Sequence, residues 1–69
     1  MTLKQIRVHN QNVIAEVTKT LLEYRIVDPI AYVSDPQYAA RCIRDYVQAY
    51  NLIRTTMNLP PLVIYNESE

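Results

Sequence analysis

With 69 residues, zero net charge and one cysteine, the chain is a single small domain that buries only about 60% of its unfolded surface. It can form no internal disulfide and has too few Cys and His for a tetrahedral metal site, so its stability must come from a partner or from well-fitted helices. Neutral charge gives no bias toward nucleic acid or an anionic membrane, and the absence of glycine removes Gly-rich phosphate loops of the P-loop or Rossmann kind.

Met1 is followed by polar residues, which predicts no secretory signal. The longest purely apolar run, Leu62-Val63-Ile64-Tyr65, is far too short to span a bilayer. Together with the lone Cys42, which suits a reducing compartment, this predicts a cytoplasmic protein with no membrane partner. Charge is uneven along the chain. Residues 1–27 carry Lys4, Arg7, Lys19 and Arg25 against Glu16 and Glu23, while residues 28–69 carry Arg41, Arg44 and Arg54 against Asp28, Asp35, Asp45, Glu67 and Glu69. That asymmetry suffices to orient two protomers but names no partner.

Residues 2–26 read as one amphipathic helix. Thr2 and Gln5 make a Thr-x-x-Gln capping box. Leu3, Ile6, Asn10, Val13, Val17, Leu21 and Tyr24 share one face, with Ile14 beside it, and Lys4, Gln5, Asn12, Glu16, Lys19 and Glu23 share the other. A competing reading makes Leu3–His9 a short strand, with Ile6 and Val8 inward and Gln5, Arg7 and His9 outward. Asn10 or Asn12 would then cap a shorter helix running to about Tyr24. The single helix is favoured because the stripe keeps its phase across Asn10. On that reading Asn10 is a seam amide fixing register and oligomeric state at some expense of stability, so Asn10→Leu should raise the melting temperature.

Asp28-Pro29 ends this helix, since a residue before proline avoids the helical region. Without glycine, the turns should be built from Pro, Asn or Asp. Residues 27–34 form a structured connector, with Ile30 and Val33 expected to tuck under the helices.

A second long helix is predicted over residues 35–57. Ser34-Asp35-Pro36-Gln37 is a Ser-x-x-Gln box with proline in the first turn. Asn58 tolerates a left-handed cap, and Pro60 prevents continuation. Ala39, Ile43, Tyr46, Tyr50, Ile53 and Met57 recur at alternating steps of four and three, the spacing of a helix–helix seam and the predicted oligomer seam. Tyr38, Cys42 and Ala49 on one flank, and Ala40 and Val47 on the other, widen the apolar arc beyond what one antiparallel neighbour covers. Gln37, Arg41, Arg44, Gln48, Asn51 and Thr55 face the other way, with Leu52 the lone apolar residue among them.

The tail, 58–69, is extended by Pro60 and Pro61 and then strongly apolar, while Asn66-Glu67-Ser68-Glu69 reads as frayed. Its apolar run either latches back across the helices or docks on another chain as an added strand. The latch is favoured by its higher effective concentration.

No catalytic constellation stands out, and neither a cofactor nor a metal is implied. Cys42 lies on the packing arc, where a thiol behaves as a small hydrophobe. His9 has no acid spaced to orient it. Asp28, Asp35 and Asp45 read as turn, cap-adjacent and surface residues. Arg41, Arg44, Gln48 and Asn51 carry side chains that read base edges. Two helices behind a strand bearing Gln5, Arg7 and His9 resemble the layout of a ribbon-helix-helix repressor, which implies a small dimeric DNA-binding regulator. Neutral charge and scarce lysines argue against nucleic acid. Tyr38, Cys42, Tyr46 and Tyr50 would suit a small flat ligand if an oligomer left a gap beside them.

The composite expectation is an all-α protein, an antiparallel two-helix hairpin with a structured connector and an extended C-terminal tail, pairing into a helical-bundle homodimer. Its expected role is non-enzymatic: a small regulator, adaptor or inhibitor that binds a larger protein partner. Arg41, Arg44, Gln48, Asn51, Leu62, Ile64 and Tyr65 are the candidate partner-binding residues.

Overall fold

The computed structural model describes residues 1–67. It contains three helices, α1 (Leu3–Glu23), α2 (Pro29–Ser34) and α3 (Pro36–Thr56), and no strand among the described residues.

α1 begins with the expected capping box. The Gln5 N–H donates to Thr2 Oγ1 (3.2 Å) and the Thr2 N–H to Gln5 Oε1 (2.8 Å). The helix runs unbroken through Asn10, so the strand reading of Leu3–His9, and with it the repressor-like layout, does not hold. Its end departs from expectation. Arg25 takes φ 53°, with the Ile26 N–H donating to the Leu21 carbonyl (2.9 Å) and the Arg25 N–H to that of Leu22 (3.3 Å). This is a Schellman closure built on arginine where glycine would normally serve. The left-handed backbone costs a residue with a Cβ about 1–2 kcal/mol, so the turn is not confined to Pro, Asn or Asp as composition suggested.

α2 is capped by Asp28, whose Oδ1 accepts from the Ile30 N–H (3.0 Å) and, more weakly, from that of Ala31 (3.5 Å). Pro29 fills the first helical position. Starting the helix there turns Tyr32 inward, where its hydroxyl pairs with Thr18 Oγ1 at 2.7 Å. Ile30 and Val33, three residues apart on the opposite side, are each 76% exposed and do not tuck under the helices as expected. Ser34 also takes another role, closing α2 by donating its Oγ–H to the Ile30 carbonyl (2.7 Å). The cap of α3 is Asp35, whose Oδ1 accepts from the Gln37 and Tyr38 N–H groups (3.1 and 3.2 Å). Pro36 is the cause: it holds the preceding residue extended, the backbone state of an N-cap. α3 ends as predicted, on Asn58 at φ 60°, with the Leu59 N–H donating to the Arg54 carbonyl (2.8 Å).

The core is small. Val17 and Leu21 of α1, Val27 and Tyr32 are buried, and half-buried Val13, Leu22, Tyr38, Ala39, Cys42, Ile43, Tyr46 and Val47 pack around them. α3 therefore meets both α1 and α2, yet not one of its 21 residues is buried. The backbone spans 34 × 32 × 16 Å. Two helices of about 31 Å lying side by side would make a narrower block; the width also takes in α2 and the tail, which runs between Asn10 of α1 and Asn51 of α3. The radius of gyration, 12.9 Å, exceeds the roughly 11 Å of a compact chain of this length.

Candidate functional site

Between α1 and α3 lies the C-terminal tail, held by the side-chain amides of two asparagines. From α3, Asn51 Oδ1 accepts the Leu62 N–H (2.8 Å) and Nδ2 donates to the Leu62 carbonyl (2.9 Å). From α1, Asn10 Oδ1 accepts the Tyr65 N–H and Nδ2 donates to the Tyr65 carbonyl, both at 2.9 Å. Each amide thus binds both polar groups of one residue, as a neighbouring strand would. Asn10 is 1% exposed and spends its second amide hydrogen on Glu67 Oε2 (3.3 Å).

Three further groups fasten the tail. Arg54 Nε–H donates to the Pro60 carbonyl (2.6 Å) and His9 Nε2–H to that of Val63 (2.8 Å). Arg7 Nε lies 3.4 Å from Glu67 Oε1, so position 67 is tethered where fraying was expected; residues 68 and 69 lie outside the described residues. The His9 and Tyr65 rings meet at 5.1 Å, tilted by 56°.

Asn10 is the residue that sequence reasoning misassigned. Its break in the apolar stripe is visible in the sequence, but it marks a seat for the tail where a register-fixing contact between copies was expected. The sign of the Asn10→Leu expectation reverses, because leucine cannot hold the Tyr65 backbone.

An open-sided groove flanks the tail on each side. The first, of about 410 Å³, runs beside Leu62 and is lined by Val13, Val17, Tyr46, Tyr50 and Arg54 among others. Tyr46 and Tyr50 stack at 5.9 Å, and the Arg54 guanidinium lies 5.6 Å over the Tyr50 ring. The second, of about 480 Å³, runs beside Ile64 and is lined by Ile14, Ala40, Ile43, Val47, Gln48 and Arg44 among others.

The predicted seam divides along its length. Ala39, Ile43 and Tyr46 are half-buried against the core, whereas Tyr50, Ile53 and Met57 are exposed. Of the partner-binding candidates, Arg41, Arg44 and Gln48 are exposed on α3, with Arg44 Nε 4.0 Å from Asp45. Asn51 is separated from them in role, since both ends of its side chain hold Leu62. Ile64 and Tyr65 are about 40% exposed and Leu62 half-buried. Of the tyrosine cluster, Tyr38 accepts the Asp28 N–H on its hydroxyl (3.3 Å) and packs with Cys42 at the core, apart from the Tyr46–Tyr50 groove.

Among the described residues no helix is long and apolar enough to cross a membrane, and no three His, Cys, Asp or Glu side chains group as metal ligands would. Compared with protein-family models, with curated proteins and with solved structures, the chain matches none.

Proposed function

We propose that the chain is a non-enzymatic protein-interaction module, a small regulator, adaptor or inhibitor that seats the apolar arc of α3 on another protein. The observation that carries this reading is the surplus of surface. The chain exposes 5523 Å², against roughly 4,500 Å² for a compact monomer of its 8.1 kDa. The excess, about 1,000 Å², is slightly more than one partner contributes to a standard interface, about 800 Å². Part of it is apolar surface at the C-terminal end of the α3 arc, where Ile53 and Met57 are both more than half exposed. The finer form of the proposal is a homodimer, with α1 and α3 as an antiparallel hairpin and two hairpins joined through the arc as a helical bundle.

Light scattering after size exclusion tests it, with the wild type against Ile53→Asp/Met57→Asp. The wild type should associate at tens of micromolar, and the variant should run as a monomer with unchanged helix content. A wild type that stays monomeric and is indistinguishable from the variant would remove the basis of the dimer. If the two also capture the same proteins from a cell lysate, the arc is not the interaction surface.

A further inference from the structure

We infer that the cleft between α1 and α3 is a receptor for an extended peptide segment of a partner protein, and that residues 60–67 are a built-in stand-in for that segment. The inference deepens the interaction reading above and rests on it, naming the chemistry of what is bound.

Three observations carry it. The two asparagines grip Leu62 and Tyr65 through their backbone N–H and C=O groups, so the seat accepts an extended chain that presents those groups at two positions three residues apart. The Glu67 side chain adds to the grip through Asn10 Nδ2. The tail, moreover, fits loosely. Val63, Ile64 and Tyr65 each remain about 40% exposed, and grooves of about 410 and 480 Å³ stay unfilled beside Leu62 and Ile64. Finally, the Glu67 end of the seat is marked by charge, with Arg7 at 3.4 Å from Glu67.

These features define the occupant. It is an extended segment with large, flat apolar side chains at the positions of Leu62 and Ile64. The first would lie against the Tyr46–Tyr50 pair and the second against Ile43 and Val47, with an acidic side chain at the Glu67 position. This chain contains no Phe or Trp, so it cannot offer such a segment to itself. A second copy's tail would make only the contacts the chain already makes, without the advantage of being tethered. A partner segment carrying aromatic residues gains buried area that the tail leaves unused. The tail then acts as a competitor in cis, keeping the apolar walls covered until that segment arrives.

The test uses the full-length chain carrying Leu62→Pro/Tyr65→Pro, which deletes the two N–H groups given to Asn51 and Asn10 and frees the seat. The probe is a fluorescent peptide of residues 59–67, with a second version bearing Phe at positions 62 and 64. A control peptide carries the same two prolines as the protein variant. The parent peptide should bind saturably, or restore helical circular dichroism if the freed chain has unfolded. The Phe peptide should bind roughly tenfold tighter, from the apolar area it adds. The proline peptide should do neither.

Absence of binding and of rescue at millimolar peptide would overturn the inference. So would equal action by the proline peptide, or no gain from Phe. Isotope-filtered contacts showing the wild-type tail seated in a second copy would overturn the partner as occupant. Failure here is separable from failure of the α3 arc: a chain that associates through Ile53 and Met57 but binds no peptide loses only the cleft.

Discussion

α1 and α3 have the same length, 21 residues, and both carry an apolar face, yet they end in different states. α1 buries Asn10, Val17 and Leu21. α3 buries nothing. Amphipathicity is a property of a helix, while burial is a property of what lies across from it. α1 receives α2, α3 and the tail, which between them cover its stripe from Asn10 to Leu21. The C-terminal half of α3 meets the tail through Asn51 and Arg54 and leaves Leu52, Ile53 and Met57 to solvent. The fold has one finished helix and one that is finished only in its first half.

The sharpest way to break that contrast is to truncate one residue on each helix. Leu21→Ala, at a site 1% exposed, should lower stability by about 2–5 kcal/mol. Ile53→Ala on α3 should stay within about 0.5 kcal/mol in dilute solution. Urea unfolding at low micromolar protein reads both, and equal losses would mean that α3 is covered after all.

The tail sharpens the contrast next, because it joins the two helices through one amide from each. Asn10→Leu should destabilise by about 1–3 kcal/mol, since it removes a buried amide that makes three hydrogen bonds to the tail. Asn51→Ala, less buried, should lose about 1 kcal/mol. Hydrogen exchange of the Leu62 and Tyr65 amides distinguishes them: Asn10→Leu should release Tyr65 first and Asn51→Ala should release Leu62 first. A rise in melting temperature for Asn10→Leu would restore the amide to a register role between copies.

Smaller effects separate the two helix ends. Both close with a left-handed residue, Arg25 after α1 and Asn58 after α3. Arg25→Gly should stabilise by about 1 kcal/mol by removing Cβ strain, whereas Asn58→Gly should gain only a few tenths. Thermal melts of the two variants, side by side, check the difference.

The comparison also shows which parts of the fold could be read directly. Helix existence, the start of α1 and the closure of α3 follow from local chemistry: the Thr2–Gln5 box, the phase of the α1 stripe, and Asn58 before Pro60, whereas the Arg25 closure of α1 carried no such signal. Where two local signals competed, the neighbouring proline decided. Ser34 and Asp35 both suit an N-cap, but only Asp35 is held extended by Pro36. The inward face of α2 was misjudged for a related reason. Counting Ile30 and Val33 as the greasiest residues ignores that a helix started at Pro29 puts Tyr32, with a hydroxyl partner in Thr18, on the inner side.

The candidate site was the least legible part. That two asparagines 41 positions apart converge on one extended segment is a tertiary fact, invisible to periodicity. Asn10 announced itself only as a flaw in a stripe, and Asn51 as one more polar residue on an outer face. The apolar run Leu62–Tyr65 did signal that it would find cover, but not on whose backbone groups.

Hydroxyl-radical footprinting of the wild-type chain, dilute and then concentrated, addresses the state of α3 most directly. In the dilute chain Met57 should be labelled nearly as readily as Met1, and Ile53 nearly as readily as Ile30, and both should become protected on concentration or on adding a partner, while Leu21 stays protected throughout. If Ile53 and Met57 resist labelling as well as Leu21 does in the dilute chain, α3 is covered by the chain's own residues and the account is contradicted.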